Sequence, residues 1–323
     1  MKGKLIRTKL IILGPSNMRR MVKHLNAIAT GLAAWFGTLQ AGTIHIPNGS
    51  FESPVTTFVD VNIDNWQKGA KPGWFNESGG FLWSQETGTF KNTPPASSDH
   101  LDNCDGGQAI WMFAVPEVEL FQDYDSVAWN DPAPSNAFDA RFEVGKSYDL
   151  TVGINGGGGG MSNGATMRIT LYYRDTASNR VAVGTTTITN SPVIFPTHTH
   201  LTDFHVRVPM VGSGDACAGR NIGVQLLSTV TTNLQGGYWD LDNVRLSSVR
   251  EPRVTGARRN NDQFKFFLES EPGIFEILAT TNVHLPVPDW TRLGTLTNFT
   301  GIAPFTDALN PFTRRFYRAR QLP

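Results

Sequence analysis

The residues best placed to do chemistry lie in one short stretch, Tyr238-Trp239-Asp240-Leu241-Asp242-Asn243-Val244-Arg245-Leu246. Read with period two, it sends Trp239, Leu241, Asn243 and Arg245 to one side of a strand. Tyr238, Asp240, Asp242, Val244 and Leu246 go to the other. A carboxylate packed among apolar side chains is costly unless it is paired, hydrogen-bonded or on a metal. Asp240 or Asp242 therefore calls for a partner, and Ile46-Pro47-Asn48-Gly49-Ser50-Phe51-Glu52-Ser53-Pro54 supplies one from the far end of the same region. Two chemistries are open. Glu52 and Asp242, helped by Asn48 or Asp240, offer oxygens of the kind calcium collects in sets of roughly six to eight. Alternatively, an aspartate desolvated in an apolar cavity is a proton donor with a raised pKa. A hydrogen-bonded carboxylate pair, or a salt bridge to Arg245, is the purely structural explanation.

A second set of residues could bind rather than react. Trp74, Trp83, Trp129 and Tyr124 fall in turn-rich surroundings, and exposed aromatic faces stack on pyranose rings. Trp66 and Trp111 stand in strand-like contexts, where burial explains them. His198-Thr199-His200, with Asp203 and His205 nearby, has transition-metal ligand types but sits in a loop without supporting spacing. Asp99, Asp102 and Asp105 miss the register of an EF-hand and read as a surface turn. Gly156–Gly160 is followed by neither Lys-Ser/Thr nor a helix, so it reads as a mobile hairpin loop, not a phosphate cradle. H-E-x-x-H does not occur.

The elements that must carry these residues are strands. The 323-residue chain has a formal net charge of zero and a pI near 7.1, which gives no electrostatic case for nucleic acid or an anionic membrane surface. Residues 1–41 contain a basic run at Met18–Lys23 and a mostly apolar run from Ala27 to Leu39, the pattern of a secretory signal peptide cut before Gly42. From there, short strands with Gly, Pro, Asn and Asp punctuation run from Ile44 to Leu246. They include Gly107–Phe113, Glu119–Tyr124, Phe142–Val152, Met167–Arg174, Val181–Ile188 and Thr202–Val208. About nine antiparallel strands suit a two-sheet jelly roll over 42–249. Residues 250–261 are charged and read as a linker, and 262–323 as a smaller β domain with four strands. In an oxidising compartment Cys104 and Cys217 either form a disulfide or remain separate thiols; a bond would close a loop of about a hundred residues.

The first-strand phrase Asn48-Gly49-Ser50-Phe51-Glu52 and the last-strand phrase Asp240-x-Asp242-Asn243-Val244-x-Leu246 together resemble the galactose-binding-like jelly rolls. That group includes carbohydrate-binding modules, plant cell-wall domains and Stig cyclases. Gly107-Gln108-Ala109, Leu120-Phe121-Gln122 and the Gly145–Val152 strand extend the resemblance across roughly 43–248. It implies neighbouring end strands and a structural calcium. Phrases such as Pro272–Thr281 and Asp289–Gly294 resemble a short carboxy-terminal β domain of secreted bacterial proteins, which implies no catalysis. The expectation is a monomeric, secreted or cell-surface carbohydrate-binding protein with structural calcium, no nucleic-acid partner and no membrane span after signal cleavage. One alternative is a Stig-cyclase-like enzyme with Asp240 or Asp242 as general acid. The other is a purely structural surface or matrix protein.

Overall fold

The structure is a computed structural model that describes residues 42–127, 138–250, 252–260, 262–308 and 314–322. The chain divides into two compact units, one of Gly42–Ser248 and one that includes Val249–Pro323. The signal-peptide expectation for 1–41 lies outside the described residues.

The larger unit is an all-β sandwich. Its strands are β1 (Gly42–Ile44), β2 (Val59–Asp60), β3 (Gln67–Lys68), β4 (Thr87–Lys91), β5 (Gln108–Phe113), β6 (Glu119–Gln122), β7 (Lys146–Gly158), β8 (Thr166–Arg174), β9 (Arg180–Thr189), β10 (Thr202–Val208), β11 (Gly223–Ser228) and β12 (Tyr238–Arg250). One sheet has the order β10, β7, β12, β5, β4, β2, and β1 joins it by pairing with β12. The other has the order β3, β6, β11, β8, β9. β10 pairs antiparallel with β7, β5 with β12 and β4, and β8 with β11 and β9, and period-two alternation sends one side of each strand between the sheets. Leu150, Val152, Ile110, Met112, Ile169 and Leu226 are fully buried there.

The two ends of the unit meet, with Gly42 opposite Ser248, Thr43 opposite Ser247 and Ile44 opposite Leu246. The expected strand Ile44–Phe51 stops early, because after Ile44 the chain turns through Asn48 and Phe51 at φ 51° and 53°. Strict alternation also fails on β12. Trp239, Leu241, Val244 and Leu246 all belong to the core, so the inward set changes parity between 241 and 244. The break is Asn243, a left-handed residue at φ 58°, and such an extra residue re-aims the side chains on either side of it. The turn holds this break in place, since Val244 N–H donates to Gly49 O at 2.8 Å. Gly49 has to be glycine, as a Cβ would lie 2.5 Å from Val244 O.

Two further expectations are corrected. Cys104 and Cys217 are free thiols: Cys217 lies in the sandwich core, whereas Cys104 sits in a loop among acidic side chains. The supposed linker is mostly strand β13 (Arg253–Asn260), which pairs with β14 (Gln263–Glu269) from Arg253 opposite Glu269 to Asn260 opposite Gln263.

The smaller unit continues with β15 (Gly273–Thr280), β16 (Thr291–Asn298), β17 (Ile302–Ala308) and β18 (Phe316–Gln321). They form two three-stranded sheets, β13-β14-β17 and β16-β15-β18, around Phe264, Phe266, Phe275, Ile277 and Tyr317. Buried Asp307 accepts from Arg315 at 2.7 Å and from the Tyr317 hydroxyl at 2.8 Å.

Candidate active site

With Trp239 and Leu241 in the core, alternation turns Tyr238 and Asp240 to the opposite face of the first sheet. There β5 supplies Trp111, opposite Asp240, and Phe113, opposite Tyr238. On the next strand Gly88 faces Trp111, and a Cβ at Gly88 would lie 2.3 Å from the indole, so glycine admits the ring. Trp111 Nε1 donates to Gln85 O at 3.1 Å, which fixes the indole plane. Phe113 and Tyr238 meet edge to face with centroids 6.1 Å apart. Val59 and Phe90 complete an apolar hollow of about 340 Å³ over Asp240. A larger cleft of about 730 Å³ shares Val59, Phe90, Tyr238 and Asp240 with it.

Asp240 is 7% exposed. Asn155 Nδ2 donates to its Oδ2 at 3.3 Å, and no Lys or Arg pairs with it among the described residues. Burial pushes its carboxyl up from 3.8 to about 7, with the Asn155 hydrogen bond opposing only in part. An acid that keeps its proton near neutral pH beside apolar walls can donate that proton to a bound molecule. Burial and the Asp240 charge also raise the Tyr238 phenol.

Asp242 does different work. It is fully buried, its Oδ2 accepts from Asp105 N–H at 2.6 Å, and its Oδ1 has no partner. Burial again dominates and lifts it to about 8, with Asp105 and Glu52 adding to the rise. Glu52 holds the same loop, its Oε1 accepting from Gly107 N–H at 2.8 Å and Gln108 N–H at 2.7 Å. The segment read as an acidic surface turn is thus clamped by two carboxylates. Cys104 lies in it, and burial plus Asp242, Asp240, Glu52 and Asp102 push that thiol up to about 12.

The four-residue calcium set therefore does not assemble. Asn48 spends its amide on the turn, donating to Ser53 O at 2.7 Å and Asp64 O at 2.8 Å and accepting from Ser53 N–H at 3.0 Å. Asp240 faces the cleft. Among the described residues no group of three or more His, Cys, Asp or Glu side chains is arranged around an ion. Asp242, with its unpartnered oxygen, and Glu52 remain as fitting donors.

The expected sugar-binding aromatics lie away from the cleft, with Trp74 and Trp83 meeting edge to face at 6.4 Å. Trp83 is 6% exposed, donates to Gly69 O at 2.8 Å and packs in the core. Trp74 is 48% exposed and donates to Glu117, Tyr124 stands in the turn after β6, and Trp129 lies outside the described residues. None of the described three lines the cleft. Trp111, taken for core, does. Its place on the same alternation as Phe113, with Ile110 and Met112 inward, was the available signal. Glu86 had none: burial alone takes its carboxyl to about 7 just before β4, and it lies off the cleft.

The histidine group likewise separates. Asp203 pairs with Arg245 at 2.7 Å and His205 with Asp149 at 2.9 Å. His198 shares a hydrogen bond of 3.0 Å with Gly156 O and lines the larger cleft. The glycine run is ordered by its neighbours. Gly156–Gly158 end strand β7, and a Cβ at Gly158 would lie 2.4 Å from the Tyr238 ring.

Over residues 42–247 the chain matches the family model described as HpiC1-like, HpiC1 cyclase. A comparison with curated proteins found no match. Among solved structures, a cyclase from Fischerella sp. TAU is 20% identical with a TM-score of 0.46, covering 65% of this chain and 98% of that one. The Stig cyclase Fisc from Fischerella sp. TAU is also 20% identical, with a TM-score of 0.45, covering 64% of this chain and 98% of the other. The family 11 carbohydrate-binding module from Clostridium thermocellum is 9% identical with a TM-score of 0.29, covering 59% and 97%.

Proposed function

This chain belongs to the HpiC1-like family, and from that premise we propose that the cleft over Asp240 is the active site of a cyclase that begins by protonating its substrate. The observation that carries the reading is a buried, unpaired carboxyl raised to about 7 beneath Trp111, Phe113, Tyr238 and Phe90. The O–H bond of Asp240 breaks as its proton passes to an unsaturated carbon of an apolar substrate. The substrate's π electrons form the new C–H bond, and positive charge develops on the adjacent carbon. Aromatic faces stabilise that cation, and the walls exclude water that would capture it. A second π bond of the same molecule attacks and closes the ring. Loss of a proton from the cyclised cation to the Asp240 carboxylate restores the acid. A general acid with a pKa near the working pH contributes about 10²- to 10⁴-fold.

The family match favours this reading over non-catalytic carbohydrate binding, since Trp83 is buried and neither Trp74 nor Tyr124 lines the cleft. Calcium enters as a structural proposal: Asp242 and Glu52 would hold it, and when bound it would neutralise the buried Asp242 beside the Asp102–Gly107 loop. An ion bound only by the native state must raise the melting temperature, so calcium addition after chelation is expected to raise it, and an unchanged value would remove the metal from the account. Export with cleavage before Gly42 belongs to the same proposal, and the mature amino terminus of the secreted protein would check it.

The activity test uses a panel of aryl alkenes and polyenes in deuterated water. Turnover should write one deuterium into the cyclised product, and Asp240→Asn should reduce the rate at least about 100-fold with the fold intact. A rate within about three-fold of the parent would refute Asp240 as the donor.

A further inference from the structure

The cleft has two arms that meet at Asp240, and the arms differ in chemistry. The smaller arm is walled by Val59, Phe90, Trp111, Phe113 and Tyr238, with Gln85 at one side. The larger runs out between Lys91, Thr93, Ser98, Asp99, His198 and Thr199. Phe58 and Leu101 add apolar surface to it, and the backbone of Gly157–Gly160 forms a further wall. A Cβ at Gly157 would lie 2.3 Å from the His198 ring, so the glycines are also what allow His198 and Tyr238 to lie flat against this wall.

The electrostatics of the polar groups in the larger arm narrow what fits it. Lys91 and Asp99 contribute one charge of each sign, and neither is in an ion pair, with the other or elsewhere, among the described residues. An anionic group entering here is attracted by Lys91 but repelled by Asp99, and a cationic group the reverse, so neither sign gains a net advantage. The other polar lining groups, Thr93, Ser98, Thr199 and the His198 ring, offer hydrogen-bonding atoms. Hydroxyls satisfy them in either direction, as donor or acceptor, at no cost in unpaired charge.

Resting on the reading of this cleft as an active site, we propose that its substrate is an uncharged amphiphile. A planar apolar body lies against Trp111 and Phe113, a hydroxylated head lies between Ser98, Thr199 and the Gly157–Gly160 backbone, and the reacting carbon sits over Asp240 where the arms join. The substrate class is then set by both arms, and the aromatic walls alone would not discriminate among flat hydrocarbons.

Three coumarins with one body and three heads test this on the full chain by fluorescence or calorimetric titration. They are methylumbelliferone methyl ether, methylumbelliferyl glucoside and methylumbelliferyl sulfate. The glucoside should bind about ten-fold more tightly than the ether, the value of one to two net hydrogen bonds, and more tightly than the sulfate. The double variant Ser98→Ala, Thr199→Ala should bring the glucoside down to the ether and leave the ether unchanged. Trp111→Ala should weaken all three, and Phe113→Leu serves as the milder truncation if Trp111→Ala does not fold. Equal affinities, a preference for the sulfate, or no binding by any of the three overturns the inference. Turnover by Asp240→Asn is read separately. Loss of turnover with the wrong affinity ranking overturns only the head-group assignment, and the right ranking with unimpaired turnover overturns only the acid.

Discussion

At the scale of single residues, Asp240 and Asp242 are two positions apart and nearly alike in burial, yet they serve different ends. Asp240 opens on an aromatic hollow, whereas Asp242 is buried against the backbone of a neighbouring loop. Burial raises the Asp240 carboxyl from 3.8 to about 7, so the folded protein holds a proton that the unfolded chain releases over that interval. The stability this proton contributes is complete below about pH 4 and is lost as pH rises through about 7. Asp240→Asn cannot ionise, so at pH 8 it should melt above the parent by several degrees, on the order of 2 kcal/mol, with the difference shrinking towards pH 4. Parallel thermal scans across that range check it. For catalysis the sign is the same: kcat/KM should be level at low pH and fall about ten-fold per unit above about 7, because only the protonated acid works. A rate that climbs through neutrality would point to a base instead.

At the scale of elements, the site depends on the parity change in β12. Asn243 restores Val244 and Leu246 to the core after Asp242 has faced outward, and Gly49 in the opening turn supports that change. Asn243→Val forces a β-branched residue to φ 58° and should cost about 1–3 kcal/mol, while Asn243→Gly should be nearly neutral. Gly49→Ala should cost as much or more, since its new methyl meets a carbonyl, and denaturant midpoints measure all three. Gly88→Ala belongs to the same class but with a local signature. It displaces the Trp111 indole, so ligand affinity should fall together with stability. Element identity was largely readable: β10 falls on the expected Thr202–Val208, and β8 and β9 differ by one residue at an end or two. The misses have physical causes. β13 is an edge strand studded with Arg253, Arg258 and Arg259, and charge on an edge strand imitates a linker. β3 has two residues, too few for a period.

At the scale of the whole molecule, two separate cores serve two units. The larger holds the cleft, Asp240 and the Asp242–Glu52 clamp, and the smaller has its own apolar cluster around Phe264 and Phe275. A fragment of residues 42–248 should therefore fold cooperatively and bind coumarin ligands within about three-fold of the full chain. Circular dichroism and the same titrations check this, and loss of the fold would show that the cores are not independent. No helix among the described residues is long and apolar enough to cross a membrane.

The amino-acid sequence by itself determined the all-β character, the strand-and-turn rhythm, the approach of the two end strands and the short list of acids worth considering. Local pattern is enough for these, because alternation and turn chemistry act within a few residues. Only the tertiary structure decided which aspartate faces the cleft, which tryptophan lines it and which are core, and that the two cysteines lie apart. Those outcomes depend on one left-handed residue in β12 and on contacts between segments more than fifty residues apart in the chain, such as Gly107 with Glu52 and Asp105 with Asp242. Period two cannot foresee where it will be interrupted, and burial is a property of what lies on the other side.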